Sequence, residues 1–300
     1  MVYTVTFNPA IDYVIRLDAL TPGAINRARQ ELIQFGGKGI NVSTVLGRLG
    51  VDSVALGFLA GFTGQALEQG LREAGVRTDF LHLPDGFTRI NVKIKAGEET
   101  ELNGRGPEIG PHALEQLLAK LDRLVQGDVL VLAGSIPACL PDDIYQRLLS
   151  RLEGRGVLAV VDAEGALLSR VLEYRPFLVK PNHLELGGMF GRELHTIEEI
   201  RAGAGALQQR GARNVLVSMA GEGAILLDET GRFHRIAAPE GRVRNSVGAG
   251  DSMVAGFLAG WLQTGDYGKA LRLGTAAGSA TAFSDGLATR AAVEALLSRM

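Results

Sequence analysis

The sequence predicts an α/β fold of three layers, in which a mostly parallel central sheet lies between two layers of helices. Seven short apolar runs, rich in β-branched residues, alternate along the chain with segments whose apolar residues recur every three or four positions. The first pattern is typical of strands buried on both faces, and the second is typical of helices that pack against them. Their alternation favours parallel strands, because parallel neighbours need a crossover connection.

The main-sheet strands are predicted, in chain order, at TVTF, SVALGFL, VLVLAG, VLAVVDA, FLVK, NVLVSM and AILLD. The helices are predicted at residues 41–49, 64–73, 111–124, 142–152, 197–209, 251–262 and 267–283. Two further stretches, at about residues 11–34 and 87–103, alternate apolar with polar residues, which is typical of strands exposed on one face. We expect them to form a small sheet inserted into one domain that spans residues 1–300, because no repeat or long linker divides the chain.

Composition and charge exclude several classes of function. The 31 Lys and Arg residues are balanced by 33 Asp and Glu residues, and the formal charge of -2 provides no general basic field for nucleic acid or an anionic membrane. No apolar run approaches the ~20 residues of a membrane span, and the opening MVYTVTFNPA predicts a strand rather than a secretion signal. The single cysteine, Cys139, allows no intrachain disulfide, and the five histidines form no zinc motif. We expect a cytoplasmic protein.

The strongest local motif is the run NSVGAGD, from Asn245 to Asp251, which directly precedes a predicted helix. Gly248 and Gly250 allow a tight turn, and the helix directs its free N–H groups and its positive dipole end into that turn. The motif therefore predicts an anion site. Asp251 either caps the helix or accepts a proton from a hydroxyl that attacks a bound phosphate.

A second glycine turn, Gly36-Gly-Lys-Gly39, precedes another predicted helix. It places Lys38 where the backbone can approach a ligand closely. Because no lysine of this chain is followed by Ser or Thr, the sequence excludes a P-loop nucleotide site. The absence of H-R-D and D-F-G motifs excludes a protein kinase.

Two further motifs follow predicted strands, where open α/β sheets bind ligands. In Lys180-Pro-Asn-His-Leu-Glu185, Asn182 and Glu185 predict either oxygen ligands for Mg²⁺ or its waters, or a helix capping box. The stretch from Ser218 to Gly223 predicts either a phosphate-binding loop or a hairpin turn.

The order of these motifs resembles that of the PfkB (ribokinase-like) carbohydrate kinase family. The shared patterns are N-P-x-x-D, G-G-K-G-x-N, G-S-x-P, K-P-N-x-x-E, S-x-x-G and G-A-G-D, and they span the chain almost from end to end. The runs TRINVK, TELNGRGP and SVGAGDSM resemble the hexose-phosphate kinase branch of that family. The resemblance implies a ribokinase-like fold in which the small sheet acts as a lid over the sugar.

The resemblance also implies roles for individual residues. It makes Asp251 the catalytic base and assigns the anion hole to Gly248, Ala249 and Gly250. It implies that the sugar phosphate is bound by Asp12, Gly37, Lys38, Asn41, Arg89, Lys93 and Asn103. We expect Arg89 or Lys93 to hold the phosphate that the sugar already carries, the alternative being charged side chains on a solvated edge strand.

On the nucleotide side, the resemblance implies that ATP is bound by Lys180, Asn182, Ser218, Gly221, Gly223 and Ser246, and that Glu185 acts on Mg²⁺. Residues 276–284 are predicted to form an apolar wall for adenine, the alternative being an ordinary core helix. Ala220 departs from the family, whose usual S-x-G-x-x-G pattern has glycine at that position.

These assignments predict ATP-dependent phosphorylation of a ketohexose phosphate, with fructose 1-phosphate as the expected acceptor. Tagatose 6-phosphate and fructose 6-phosphate are alternative acceptors, and a catalytically inactive sugar-phosphate sensor is a third possibility. The expected partners are therefore ATP and a sugar phosphate, with neither nucleic acid nor membrane. Because lids of this family pair, we also expect a homodimer formed through the small sheet.

Overall fold

The computed structural model describes all 300 residues, which form fourteen strands and ten helices. The strands are β1 (Val2–Thr6), β2 (Ala10–Arg16), β3 (Gln30–Gly36), β4 (Ser53–Ala60), β5 (Arg77–Thr78), β6 (Leu81–Leu83), β7 (Arg89–Ala96), β8 (Glu98–Asn103), β9 (Val129–Ala133), β10 (Leu158–Asp162), β11 (Leu178–Val179), β12 (Asn214–Ser218), β13 (Ala224–Leu227) and β14 (Phe233–Ile236). The helices are α1 (Lys38–Arg48), α2 (Gly61–Glu73), α3 (Pro111–Leu121), α4 (Ile144–Leu152), α5 (Gly165–Val171), α6 (His183–Met189), α7 (Ile197–Gln209), α8 (Ala249–Thr264), α9 (Tyr267–Ala282) and α10 (Arg290–Leu297).

The main sheet has the order β14-β13-β12-β11-β10-β9-β1-β4-β5, and β6 pairs with β4. All pairs from β12 to β5 are parallel, whereas β13 and β14 add as antiparallel strands at one edge. Each of the seven predicted runs contains one of these strands, so the prediction of a mostly parallel sheet is confirmed. The parallel strands bring the chain segments that follow them to a single edge of the sheet.

Helices cover both faces of this sheet. On one face, α1, α8, α9 and α10 enclose apolar side chains that include Val129, Val131 and Val160. On the other face, helices from α3 to α7 enclose the alternate residues of the same strands, among them Leu130 and Val161. Successive side chains of a strand point to opposite faces, so one continuous apolar run supplies both cores. The predicted three-layer arrangement is confirmed.

The predicted helices are all present, with ends that differ by a few residues. The helix α8 begins at Ala249 rather than at Asp251, because Gly248 is its N-cap and adopts a left-handed conformation. Three helices, α5, α6 and α10, were not predicted from an apolar repeat, although the capping-box alternative at Asn182 and Glu185 implied the start of α6. Each has eight residues or fewer, which is too short for a three- and four-residue repeat to become recognisable. None of the helices combines the length and the apolar character that a membrane span requires.

The two stretches with alternating polarity form one separate sheet of four strands in the order β3-β2-β7-β8, called the small sheet below. Strands β2 and β7 run parallel in its centre, and β3 and β8 add as antiparallel edges. The register places Asp12 opposite Asn91, and it places Val14 opposite Lys93. These residues therefore share the face of the sheet that carries Asp12.

Candidate active site

A cleft of about 1570 Å³ lies at the carboxyl edge of the main sheet and is bordered by the small sheet. Residues that directly follow β1, β9, β10 and β11 line it, because these parallel strands all end at this edge. The cleft brings together sixteen of the predicted site residues: Asp12, Gly37, Lys38, Asn41, Arg89, Lys180, Asn182, Glu185, Ser218, Gly221, Gly223, Ser246, Gly248, Ala249, Gly250 and Asp251. Lys93 and Asn103, which were also predicted, do not line it.

Asp251 lies in the first turn of α8 and is only 4% exposed. The side-chain amide of Asn41 donates a hydrogen bond of 2.7 Å to its Oδ2 atom. Burial, together with the nearby charge of Asp162, raises the pKa of Asp251 to about 6, although Asn41 and two lysines oppose this rise. A carboxylate with a pKa close to neutral is suited to accept a proton from a hydroxyl group.

The turn before α8 presents free backbone donors beside this carboxylate. Gly248 has φ 78°, and a Cβ atom at this position would lie 2.7 Å from the Leu287 side chain, so glycine is required there. The N–H of Ala249 donates to Ser246 O at 3.2 Å, and the N–H of Ser252 donates to Gly248 O at 2.9 Å. The N–H groups of Gly250 and Asp251 lie between them, in the helix positions that lack an intrahelical acceptor, and are therefore available to an anion.

Two lysines flank the same point and share one buried carboxylate, that of Asp162. Lys180 Nζ lies 3.3 Å from Asp162 Oδ1, and Lys38 Nζ lies 3.8 Å from Asp162 Oδ2. Burial by itself would lower the pKa of Lys180, but the carboxylates of Asp162, Glu185 and Asp251 together raise it above its usual value. Lys180 is therefore a buried cation beside the free N–H groups of α8. Its Nζ atom comes so close that a Cβ on Gly250 would lie 3.1 Å away.

Asp162 was not identified from the sequence, although a signal was present. It is the next-to-last residue of the predicted run VLAVVDA and the last residue of β10, and a carboxylate at the carboxyl end of a parallel strand lies where such sheets bind ligands.

At the other end of the cleft, the small sheet holds Asp12. Asn91 Nδ2 donates a hydrogen bond of 2.8 Å to Asp12 Oδ1, and Lys93 Nζ lies 3.4 Å from Asp12 Oδ2. Lys93 also lies 3.7 Å from the Glu101 carboxylate. Lys93 is thus a buried counter-ion of Asp12 rather than a residue that faces the cleft. Asn91, which the sequence did not single out, shapes this end of the site through its cross-strand position.

Arg89 faces the cleft from the first position of β7. Its Nε donates to the backbone oxygen of Asn8 at 3.2 Å, which fixes the guanidinium and leaves its two terminal nitrogens for an anion. Burial lowers the pKa of Arg89 from its usual value, and the Asp12 carboxylate opposes this effect. Asn8 also binds the backbone oxygen of Arg105 through its side chain at 3.0 Å.

The nucleotide-side motifs occupy the opposite wall. Asn182 and Glu185 form the capping box that the sequence offered as an alternative, because each accepts the backbone N–H of the other at 2.8 Å. The box uses Glu185 Oε2, and Oε1 remains outside it. The backbone of Asn182 also pairs with that of Ser218 in an isolated parallel β-bridge, which holds the two motifs side by side.

The loop after Ser218 forms a short 3-10 turn, and Ala220 adopts a left-handed conformation with φ 48°. This conformation costs an L residue about 1–2 kcal/mol and explains why the family pattern has glycine here.

Residues 276–284 were predicted to form either an apolar wall for adenine or an ordinary core helix, and the structure divides them between these two roles. Ala276, Ala277 and Ala280 are buried in the core between α9 and the main sheet. The residues of α9 and the residue after it that line the cleft are Thr275, Gly278, Ser279, Ala282 and Phe283. The helix repeat was recognised in the sequence, but its rotation depends on packing against α8.

Comparison with known proteins agrees with this geometry. Residues 5–293 match the pfkB family carbohydrate kinases. The chain belongs to this family. It is 46% identical to 1-phosphofructokinase of Bacillus subtilis (strain 168) over 298 residues, which are 99% of this chain and 97% of the relative. It is 38% identical to D-tagatose-1-phosphate kinase of Bacillus licheniformis, over 96% of this chain and 94% of the relative.

Among solved structures, the chain is similar to that of a putative phosphofructokinase from Staphylococcus aureus. The TM-score is 0.90 at 42% sequence identity, and the match covers 99% of this chain and 97% of the other. The expectation of a carbohydrate kinase of the pfkB family with a ribokinase-like fold is therefore confirmed. The relative with tagatose in its name is named for the 1-phosphate, whereas the sequence had suggested tagatose 6-phosphate as an alternative acceptor.

Proposed function

We propose that this pfkB family enzyme transfers the γ-phosphoryl group of ATP to the C6 hydroxyl of fructose 1-phosphate, forming fructose 1,6-bisphosphate and ADP. The observation that carries the proposed reaction is the buried Asp251 carboxylate beside two free N–H groups and Lys180. The choice of acceptor is supported by the 46% identity to a 1-phosphofructokinase over nearly the whole chain.

In the proposed mechanism, the C6 hydroxyl gives its proton to Asp251, and its oxygen forms a bond to the γ-phosphorus as the bond to the β-phosphate oxygen breaks. Asn41 holds Oδ2 of Asp251, which leaves Oδ1 to take the proton. The N–H groups of Gly250 and Asp251 stabilise the charge on the transferring group, together with Lys180. The residues act by position and charge, because phosphoryl transfer requires little covalent help.

Asp12 and Arg89 bind the acceptor in this proposal. The Asp12 carboxylate accepts hydrogen bonds from sugar hydroxyls, and its own orientation is fixed by Asn91 and Lys93. Arg89 provides the bidentate cation that suits the 1-phosphate. Lys93, buried against two carboxylates, takes part through Asp12 alone.

Mg²⁺ is proposed to accompany the nucleotide. No group of three or more His, Cys, Asp or Glu side chains is arranged to hold a metal ion, which fits Mg²⁺ because this ion is usually bound by one or two carboxylates, water and substrate phosphates. Glu185 Oε1, outside the capping box, is the oxygen that would hold it or one of its waters. Bound Mg²⁺ would neutralise charge on the phosphates. Dependence on ATP and the single unpaired cysteine support a cytoplasmic location.

A second candidate acceptor is tagatose 1-phosphate, favoured by the 38% identity to a D-tagatose-1-phosphate kinase. The two sugars differ only in configuration at C4 and carry the same phosphate. The same base and the same Arg89 would therefore serve both acceptors, and Asp12, the residue proposed to bind the sugar hydroxyls, would be the one to distinguish them.

We also propose that the small sheet forms a homodimer through the face opposite Asp12. That face presents apolar side chains on four strands, and Ile33 and Leu102 are each 58% exposed while Ile90 is 36% exposed. A sheet face of this character favours burial against a second copy of the same face.

The test is the turnover of ATP and Mg²⁺ with fructose 1-phosphate, tagatose 1-phosphate, tagatose 6-phosphate, fructose 6-phosphate and fructose. The highest kcat/KM is expected with fructose 1-phosphate. Arg89→Gln should raise KM for this substrate by about 10- to 100-fold, because a hydrogen bond to a charged group contributes about 1.5–3 kcal/mol, while KM for ATP changes little. The exposed Arg77 gives the control variant, Arg77→Gln. Equal turnover of fructose and its 1-phosphate would refute the proposed acceptor.

A further inference from the structure

The turn that follows α9, residues 283–288, connects the small sheet to the body of the protein and is called the linking turn below. Arg16, the last residue of β2, lies with its Nη2 atom 3.4 Å from Asp285 Oδ1. Gln34 of β3 donates from Nε2 to the backbone oxygen of Asp285 at 3.3 Å. Two strands of the small sheet therefore contact one residue of the linking turn.

The same turn also contacts the anion site. Leu287 packs so tightly on Gly248, the N-cap of α8, that a Cβ there would lie 2.7 Å from it. Arg48 of α1 holds the turn by donating to the backbone oxygens of Leu287 at 2.6 Å and Ala288 at 3.1 Å. Leu287 thus contacts Gly248, the N-cap of the helix whose first turn provides the free N–H groups. It lies two residues after Asp285, which contacts the small sheet.

The linking turn reaches the nucleotide wall as well. Phe283 lines the cleft, and Asp285 forms an ion pair of 3.4 Å with Arg244 in the loop that precedes the anion motif. The backbone N–H of Arg244 in turn donates to Ala282 O at 2.8 Å. One short segment therefore contacts the acceptor side, the anion site and the nucleotide wall.

We infer that Asp285 is a positioning residue that couples closure of the small sheet over the acceptor to the geometry of the anion site and nucleotide wall. This inference rests on the proposed function, because it assumes that the small sheet covers the sugar phosphate. Asp285 is exposed, so its ion pair with Arg16 is weak and easily broken and remade. A weak contact of this kind allows the sheet to open for exchange of substrate, yet it favours the closed arrangement when both ligands are bound.

The inference predicts a defined quantity, the factor by which nucleotide tightens the binding of sugar phosphate. By linkage, sugar phosphate must tighten nucleotide binding by the same factor. A substitution that only destabilised the protein would lower the affinity for both ligands without altering this factor. Loss of the Asp285 contact should reduce the factor about two- to fivefold, as expected for an exposed ion pair.

The experiment is calorimetric titration of fructose 1-phosphate with and without a non-hydrolysable ATP analogue and Mg²⁺, and the reciprocal titration. It compares the wild type with Asp285→Ala, Asp285→Glu, Arg16→Gln and the double variant Arg16→Gln/Asp285→Ala. Asp79→Ala is the matched control, because Asp79 is 55% exposed and pairs with Lys120 away from the cleft.

The expected result is a reduced factor in Asp285→Ala and in Arg16→Gln, no further reduction in the double variant, partial recovery in Asp285→Glu, and no change in Asp79→Ala. The same factor in Asp285→Ala and the wild type would overturn the inference, as would a wild type that binds both ligands independently. A wild type that does not bind fructose 1-phosphate in either titration would instead overturn the proposed function.

Discussion

Replacement of Asn41 with leucine tests whether Asp251 is the base, through the pH at which activity is lost. Asn41 donates the 2.7 Å hydrogen bond to Asp251 Oδ2, and this bond favours the charged carboxylate. A hydrogen bond to a charged group contributes about 1.5–3 kcal/mol, and one pKa unit corresponds to about 1.4 kcal/mol. Because leucine has a similar volume and excludes water, we expect the pKa of Asp251 to rise by about one to two units.

The measurement is the pH dependence of kcat/KM for the preferred acceptor, which reports groups of the free enzyme. The wild type should lose activity as the pH falls through about 6, since protonated Asp251 cannot accept a proton. In Asn41→Leu the acidic limb of the pH profile should move to about pH 7–8. Thr44→Val, which removes a buried hydroxyl from the same helix, should leave the limb in place. A limb in Asn41→Leu that stays near pH 6, or moves lower, would refute the reasoning.

Three other predictions concern the site and the small sheet. Asp251→Asn keeps the shape of the side chain but not its basicity, so kcat should fall by about 10²- to 10⁴-fold in steady-state assays with unchanged circular dichroism; an undiminished kcat would refute the role of Asp251 as the base. Lys180→Met removes the nearer of the two cations beside the buried carboxylate of Asp162, leaving only Lys38 at 3.8 Å, and should destabilise the protein by about 3–5 kcal/mol at pH 8. The pKa of Asp251 is raised, so this carboxylate takes up a proton in the folded state at a higher pH than in the unfolded state, and the destabilisation measured by denaturant unfolding should shrink towards pH 5. An equal destabilisation at pH 8 and pH 5 would contradict the assigned charges. Ile33→Glu should convert the proposed dimer to monomers in analytical ultracentrifugation, and a wild type that is already monomeric would contradict the proposed interface.

Local patterns in the sequence were sufficient for the main sheet, for most helices and for the glycine turn before α8. A glycine turn followed at once by a helix leaves free N–H groups at the helix start, so the run predicted an anion site, whereas the role of Asp251 as a base came from the family resemblance. Likewise, β1, β9, β10 and β12 were recognisable because buried parallel strands are rich in apolar and β-branched residues. The small sheet was recognisable for the opposite reason, since its strands alternate.

The orientation of side chains depended on the tertiary structure. Lys93 and Arg89 lie four residues apart on one strand, yet only Arg89 faces the cleft, because Lys93 is held by Asp12 and Glu101 on neighbouring strands. Ala276, Ala277 and Ala280 of α9 pack in the core, whereas Ala282 lines the cleft, because contact with α8 sets the rotation of the helix.

The sequence by itself determined the order of the strands along the chain and the glycine turns, since each depends on neighbours within a few residues. At Asp251 the local pattern left a helix cap and a base as alternatives, and the family resemblance favoured the base. Tertiary structure alone decided that Asp162 joins Lys38 to Lys180, that Asn91 orients Asp12, and that Asp285 meets the small sheet. These contacts join residues far apart in the chain. Strand register, helix rotation and the meeting of two sheets set their distances, and none of these is encoded in a local pattern.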